Sequence, residues 1–258
     1  MSDLAWLRLI GLTKRFGGVS AIDDLDLEHR TGGVLGLIGP NGAGKTTVFN
    51  MLSGAILPTS GRIELDGHDV TGLRPDQMNG RGVSRTFQNL EIFGSLSVLD
   101  NVLVARERYV RGGALGAMLG LPSGRRAARE QEAFARELLA RNGLAGLAEQ
   151  PAASLPYGLQ RRVEVARALA SQPRLLLLDE PLAGLSRAES ASFATLMDQV
   201  TDEGVTVLLV EHDVTTVMSV SDRVVVLDHG SLLADGPPDA VAADPRVRAA
   251  YLGEELDA

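Results

Sequence analysis

The 258-residue chain contains no cysteine, which excludes disulfides, thiolate metal sites and a cysteine nucleophile. It also lacks a long apolar run. The longest stretch, around Leu175–Leu178, is short and falls far below the roughly 18–20 residues needed to span a bilayer. Any membrane role is therefore expected to come through a partner. Basic charge is scarce as well: Lys and Arg number 25 against 33 Asp and Glu, a formal net charge of −8. A broad nucleic-acid footprint needs clustered Lys and Arg, so no nucleic-acid partner is expected, although the balance leaves room for a small basic phosphate site. The first residues, Met1-Ser2-Asp3-Leu4-Ala5, have no basic region ahead of an apolar core. No signal peptide is expected, and a cytoplasmic location is.

What is present is a globular composition, 45% hydrophobic and 22% charged, with length for one large domain or a domain plus a subdomain. Leu7–Leu12 and Ile22–Glu28 read as strands, the second with only partial alternation. After the Gly32-Gly33 turn, Val34–Ile38 reads as a short buried strand, and Thr46–Leu52 has helical composition up to Gly54 and Pro58. Arg62–Leu65 is a strand between the tight turns Ser60-Gly61 and Asp66-Gly67. From about Asn89 to Pro173 the character becomes helical. Arg125–Arg141 places Phe134, Leu138 and Arg141 on one face, and Gly158–Ser171 places Val163, Ala166 and Ala170 along one side. The glycine-rich stretch Arg111–Gly124 reads as a loop or broken insertion. Strands return at Leu175–Leu178, Val205–Val210 and Val224–Leu227, with a helix at Ala188–Asp202 and a short helical tail from Pro237-Pro238. Alternating strand and helix implies a mainly parallel sheet with covered faces, an α/β fold.

Gly39-x-x-x-x-Gly44-Lys45-Thr46 matches the phosphate-binding loop in full, entered by a strand and left by a helix. Glycines let backbone N–H groups turn toward phosphate oxygens, and the helix points its positive end at the same charge. Lys45 is expected to reach the β- and γ-phosphates, and the Thr46 hydroxyl to take a Mg²⁺ position. Leu175–Leu178 runs into Asp179-Glu180-Pro181. Carboxylates ending a buried strand pack poorly unless they meet a cation or a water. Asp179 fits an acid holding Mg²⁺ through its hydration shell, and Glu180 a base polarising the attacking water. His212, in Glu211-His212-Asp213, follows the strand Val205–Val210, at the sheet edge where open α/β sheets bind ligands; there it is placed to touch the γ-phosphate and the water. Gln88 ends the polar run Arg85-Thr86-Phe87-Gln88 where sheet gives way to helices. The other histidines, His29, His68 and His229, read as surface residues.

Together these pieces resemble the ATP-binding subunit of an ABC transporter over nearly the whole chain. Phe16 matches the aromatic that stacks on adenine. Gly39, Pro40, Asn41, Gly42, Ala43, Gly44, Lys45, Thr46 and Thr47 match Walker A, and Gln88 the Q-loop. Leu155–Arg162 stands where the signature belongs, with Tyr157, Gly158, Leu159 and Gln160 at its centre. Leu175–Glu180 matches Walker B, Ala183–Ser186 the D-loop and His212 the switch histidine. The resemblance implies a P-loop NTPase ABC cassette: a mainly parallel core with an antiparallel β subdomain (1–88 and 174–236), an inserted α-helical subdomain (89–173) and a C-terminal helical tail (237–258). It implies catalytic roles for Glu180, His212 and Gln88, Mg²⁺ ligation by Thr46, Gln88 and Asp179, and ATP closed between two such chains.

The wording Arg85-Thr86-Phe87-Gln88-Asn89, the insertion near Arg108–Arg129, the phrase Gln160–Leu169 and the ending Asp244-Pro245-Arg246-Val247 with Tyr251-Leu252-Gly253 are similar to the ATPases of branched-chain amino acid importers. That similarity implies transmembrane permease partners on the inner face of the plasma membrane and, indirectly, a solute-binding protein outside it. Leu90, Ile92, Phe93 and Leu96 are candidate groove residues for a permease helix. Two departures stand out. Pro156 replaces the usual signature serine, losing both its hydroxyl and an N–H, and Ser186-Arg187 stands where Asp or Asn followed by Pro is commoner. Both weaken what the chain offers its neighbour's nucleotide, which implies a heterodimer with a second ABC ATPase, a homodimer being the other arrangement. The alternatives are a lipopolysaccharide-export ATPase, which has a similar Tyr-Leu-Gly ending, and a soluble non-transport ABC ATPase.

Overall fold

The β-branched and aliphatic runs singled out above form the centre of a six-stranded sheet. The computed structural model describes residues 5–86, 90–109, 122–211 and 213–252. In chain order the strands are β1 (Leu7–Phe16), β2 (Val19–His29), β3 (Val34–Ile38), β4 (Ser60–Leu65), β5 (His68–Asp69), β6 (Val83–Arg85), β7 (Leu175–Asp179), β8 (Thr206–Val210), β9 (Arg223–Asp228) and β10 (Ser231–Gly236). The larger sheet has the order β10-β9-β3-β8-β7-β6, parallel except for the β9–β10 hairpin. Every residue of β3, β7 and β8 is buried, as strands covered on both faces must be. The smaller sheet, β2-β1-β4-β5, is antiparallel. Leu9, Leu12, Ile22 and Ile63 of this sheet and Leu35, Leu177 and Leu208 of the other share one apolar core with Phe49 and Leu52. This is an α/β arrangement: a mainly parallel sheet sharing its core with an antiparallel one.

The helices are α1 (Lys45–Leu52), α2 (Pro75–Gly80), α3 (Val98–Arg106), α4 (Pro122–Arg141), α5 (Tyr157–Ala170), α6 (Arg187–Asp202), α7 (Val214–Val220), α8 (Pro238–Ala243) and α9 (Pro245–Leu252). The chain divides into two compact units. One comprises Met1–Arg85, Arg174–Ala183 and Phe193–Ala258; the other comprises Thr86–Pro173 and Gly184–Ser192. Within the helical unit, Arg106 is buried with its guanidinium 4.0 and 3.9 Å from the ring centroids of Tyr109 and Phe134. Its Nη1 donates to the Ala170 carbonyl at 2.9 Å, so one side chain joins α3, α4 and the end of α5.

Several expectations change. Pro122 opens α4 instead of lying in a loop that runs to Gly124, in keeping with proline's fit to the first helical turn. On that helix Ala135, Leu138 and Leu139 are buried, while Arg141 is exposed where the helix gives way to the Asn142-Gly143 turn. β6 and β10 were not expected: β6 has three residues, too few to show a period, and Asp235 and Gly236 interrupt β10. His29 is buried, not on the surface, with Nε2 donating to the Gly32 carbonyl at 3.2 Å. That bond closes the turn between β2 and β3, and it fixes the tautomer because a carbonyl can only accept. His68 and His229 are exposed. The Pro237-Pro238 tail forms two helices, α8 and α9, each beginning with a proline.

Candidate functional site

The glycine-rich loop leaves β3 under tight steric control. A Cβ on Gly39 would lie 2.2 Å from the Leu227 carbonyl oxygen of β9. Gly44 has φ 102°, and a Cβ there would lie 2.5 Å from both the Ala21 carbonyl oxygen and Ile22 Cδ1. Neither site admits a side chain. The Ala43 N–H donates to the Pro40 carbonyl and the Gly230 N–H to the Ala43 carbonyl, each at 3.1 Å, so the β9–β10 turn braces the loop from behind. Lys45 Nζ donates to the carbonyls of Gly39 and, at 3.0 Å, Pro40. The ammonium is thus held against the loop itself. No acidic residue occupies the first turn of α1, so its positive end is uncompensated from within, which suits an anion. Gly42 is exposed with nothing near its Cβ position, and Thr46 is exposed at the start of α1. Phe16 ends β1 as an exposed ring, 51% accessible, with Lys14 Nζ 4.9 Å from its centroid. About half of that residue's surface stays open to solvent.

Asp179 is the last residue of β7 and is buried, 6% exposed. Register places it beside Val210 on β8, while Gly36 on β3 lies beside Leu209. The loop therefore begins two residues beyond the level of Asp179 and two strands away, about 10 Å across the sheet. That gap has the scale of a phosphate with a hydrated cation. Among the described residues no cluster of three or more His, Cys, Asp or Glu is arranged to hold a metal. A cation here would depend on Thr46, Asp179 and the phosphates, a hard oxygen set of the kind Mg²⁺ prefers.

Two residues that the sequence reading gave no role complete the Asp179 end. Arg85 ends β6 and lies beside Leu177 in register; since alternate residues share a face, its side chain emerges on the side of Asp179. Its Nη2 meets Asp179 Oδ2 at 2.9 Å, with both side chains about one-tenth exposed. Its Nη1 donates to Asn50 Oδ1 at 2.6 Å and Ser53 Oγ at 3.2 Å, and the guanidinium lies 5.8 Å from the Phe49 ring centroid. The second residue is Glu211, buried just past β8. It accepts the Leu182 N–H at 2.6 Å. Between these anchors Glu180 takes φ 50°, a left-handed conformation rare for a non-glycine residue, with its N–H donating to the Val210 carbonyl at 2.9 Å. Arg85 was visible only as a basic residue in a polar run, and Glu211 only as a neighbour of His212. Gln88 and His212 themselves lie outside the described residues.

In the helical unit, Tyr157 is exposed and Gly158 buried at the start of α5, whose N-cap Pro156 makes no side-chain capping bond. Leu159 and Gln160 are half-buried, and Gln160 Nε2 donates to the Leu155 carbonyl at 2.7 Å. Ser186 makes a capping box with Glu189: its N–H and Oγ both donate to Glu189 Oε2, at 2.8 and 2.7 Å. A Cβ on Gly158 would lie 2.3 Å from Glu189 Oε1, so a side chain there would push the Glu189 carboxylate off its present position. Phe93 is exposed, 48% accessible, and the Arg167 guanidinium lies 5.4 Å from its ring centroid. Burial lowers the Arg167 pKa, partly offset by Glu164 and Glu91. Asn101 holds the segment before α3 by accepting the Phe93 N–H and donating to the Phe93 and Ser97 carbonyls.

Known proteins resemble this chain over nearly its whole length. A family model described as ABC transporter matches residues 22–183, and one described as branched-chain amino acid ATP-binding cassette transporter matches residues 231–257. The chain is 44% identical over 249 residues to the high-affinity branched-chain amino acid transport ATP-binding protein BraF of Pseudomonas aeruginosa, covering 96% of this chain and 98% of that one. It is 43% identical, with the same coverage, to the similarly named LivG of Escherichia coli. The lipopolysaccharide export system ATP-binding protein LptB of Escherichia coli is 33% identical, covering 98% of this chain and 99% of LptB. Among solved structures, the ADP conformation of an ATP-binding cassette of an ABC transporter superposes with a TM-score of 0.84 at 28% identity, covering 97% of this chain and all of that one.

Proposed function

This chain belongs to the ABC transporter family as one of its ATP-binding proteins, and from that premise we propose that it is the ATP-hydrolysing motor of a branched-chain amino acid importer. The observation that carries the substrate class is the near-full-length 44% identity to a branched-chain amino acid transport ATP-binding protein, joined to the C-terminal match over residues 231–257. The lipopolysaccharide-export reading rests on a more distant likeness, 33% identity.

The site supports the following division of labour. Phe16 stacks on adenine. The backbone of Gly39–Thr47 and the N-terminus of α1 cradle the phosphates, and the Lys45 ammonium turns from the Gly39 and Pro40 carbonyls to the β- and γ-phosphates. Thr46 and Asp179, joined by Gln88, would hold Mg²⁺, which would supply positive charge against the phosphate oxygens. Glu180 accepts a proton from the attacking water, and His212 orients that water against the γ-phosphate. On a second chain's nucleotide, Tyr157–Gln160 presents the N-terminus of α5. Pro156 supplies no cap to that helix end, and so leaves its dipole to the ligand, but it also brings no hydroxyl. That asymmetry supports pairing with a non-identical ABC ATPase.

Among the described residues no helix is long and apolar enough to cross a membrane. Attachment to the inner face of the membrane therefore runs through permease subunits. The half-buried Leu90, Ile92 and Leu96 and the exposed Phe93 are the docking residues, and Asn101 holds the Phe93 backbone among them. A solute-binding protein acts on the far side of those permeases. The test is to co-express the chain with candidate permease subunits and a second ABC ATPase, co-purify the complex, and measure ATP turnover in proteoliposomes. Leucine, isoleucine or valine with the binding protein should stimulate turnover. Stimulation by lipopolysaccharide, or by none of these solutes, would overturn the reading.

A further inference from the structure

We infer that Arg85 is a positioning residue for the magnesium site: it sets the direction in which the Asp179 carboxylate meets the cation, and ties that direction to helix α1. The inference rests on the reading of Asp179 as the Mg²⁺ acid. Asp179 is 6% exposed, and Arg85 Nη2 lies 2.9 Å from its Oδ2. A carboxylate so buried cannot be steered by solvent, so its rotamer follows its charged partner. The guanidinium is itself anchored. Nη1 reaches Asn50 Oδ1 at 2.6 Å and Ser53 Oγ at 3.2 Å, both on or just past α1, and the planar group lies near the Phe49 ring.

The consequence is geometric. Thr46 lies in the first turn of α1 and Asn50 one turn further along, so the helix that carries one Mg²⁺ ligand also carries the anchor for the residue that aims the other. Lysine cannot reproduce this, because a single ammonium lacks the fork that spans Asn50 and Asp179 at once. Partners that orient a metal's ligands typically change metal affinity by 10- to 100-fold when removed.

Nucleotide binding to the full chain, measured by calorimetry against Mg²⁺ concentration and again in EDTA, tests the inference. Mn²⁺ electron paramagnetic resonance with ADP supplies a second readout independent of turnover. Arg85→Met should raise the Mg²⁺ needed for half-maximal nucleotide binding by about 10-fold or more, with the metal-free affinity within about twofold of wild type and an altered Mn²⁺ spectrum. Arg85→Lys should recover part of the difference. A folded Arg85→Met chain with the wild-type Mg²⁺ requirement overturns the inference. If that variant does not fold, Asn50→Ala decides: it keeps the ion pair, removes one anchor, and should raise the requirement by about two- to fivefold, whereas an unchanged requirement overturns the inference. Asp179→Asn separates the two levels. If it leaves the Mg²⁺ requirement unchanged, the reading of Asp179 fails and this inference falls with it. If it shifts the requirement while the Arg85 and Asn50 variants do not, the inference about Arg85 alone fails.

Discussion

The backbone N–H of Leu182 donates to Oε1 of Glu211 across 2.6 Å, joining the segment that leaves β7 to the residue that ends β8. Glu180 lies between Asp179 and that anchor, in a left-handed conformation. Glu211 thus holds the far end of the turn on which the proposed base sits. Replacing it with alanine removes the acceptor. Glu211→Ala should lower kcat by about tenfold, the cost of misplacing a reacting group by a fraction of an ångström, while ATP affinity stays within about twofold. Steady-state turnover paired with calorimetry checks this; a variant that loses ATP binding instead would assign Glu211 to the nucleotide pocket.

Glu180→Gln removes the proposed base and little else, since the amide keeps the shape of the carboxylate. ATP binding and ATP-dependent association with the partner ATPase should persist, and turnover should fall by about 10²–10⁴-fold. Near-normal phosphate release would dismiss Glu180 as the base.

The loop glycines should differ sharply in tolerance. Gly44→Ala places a Cβ 2.5 Å from a backbone carbonyl oxygen and from Ile22 Cδ1 at φ 102°, whereas Gly42→Ala at φ 79° meets nothing within 4 Å. The first should cost about 2–4 kcal/mol of stability and abolish nucleotide binding. The second should cost only the left-handed penalty, about 1–2 kcal/mol. Urea denaturation of the two variants gives the comparison; equal losses would mean that the loop relaxes around a Cβ at either site.

Burial pushes the His29 pKa below its ordinary value near 6.5, and the nearby Arg223 guanidinium adds to this. The native state therefore binds this proton less readily than the unfolded chain. The stability contributed by neutral His29 is complete above the unfolded value and is lost as pH falls from about 6.5 through the lowered native value. Unfolding free energy should decline in that window, and His29→Gln, which can still donate to the Gly32 carbonyl, should flatten the decline. A variant with the wild-type pH slope would place the acid sensitivity elsewhere.

Much of the site was legible because its signals are local. The run Val34–Ile38 followed by Gly39–Thr46 reads as strand, loop and helix within thirteen residues, and four leucines ahead of Asp179 mark a buried strand ending in charge. Local periodicity was less reliable where elements are short. β6 has three residues and is held in the sheet by β7, not by any propensity of its own. His29 reads from the sequence as a surface residue, yet the chain folds over it.

The amino-acid order by itself determined that a glycine loop joins a buried strand to a helix, that Asp179 and Glu180 close a buried strand, and that helices follow the segment around residue 88. Motif spacing and hydrophobic period act over a few residues, and they carry that much. Only the tertiary structure decided what Asp179 pairs with, because Arg85 is 94 residues away and is brought alongside by parallel strand register. It also decided why Gly39 and Gly44 must lack a side chain, since the backbone atoms a Cβ would strike belong to β9 and β2. Contacts of that kind are set by strand order and packing distance, which no local window of sequence contains.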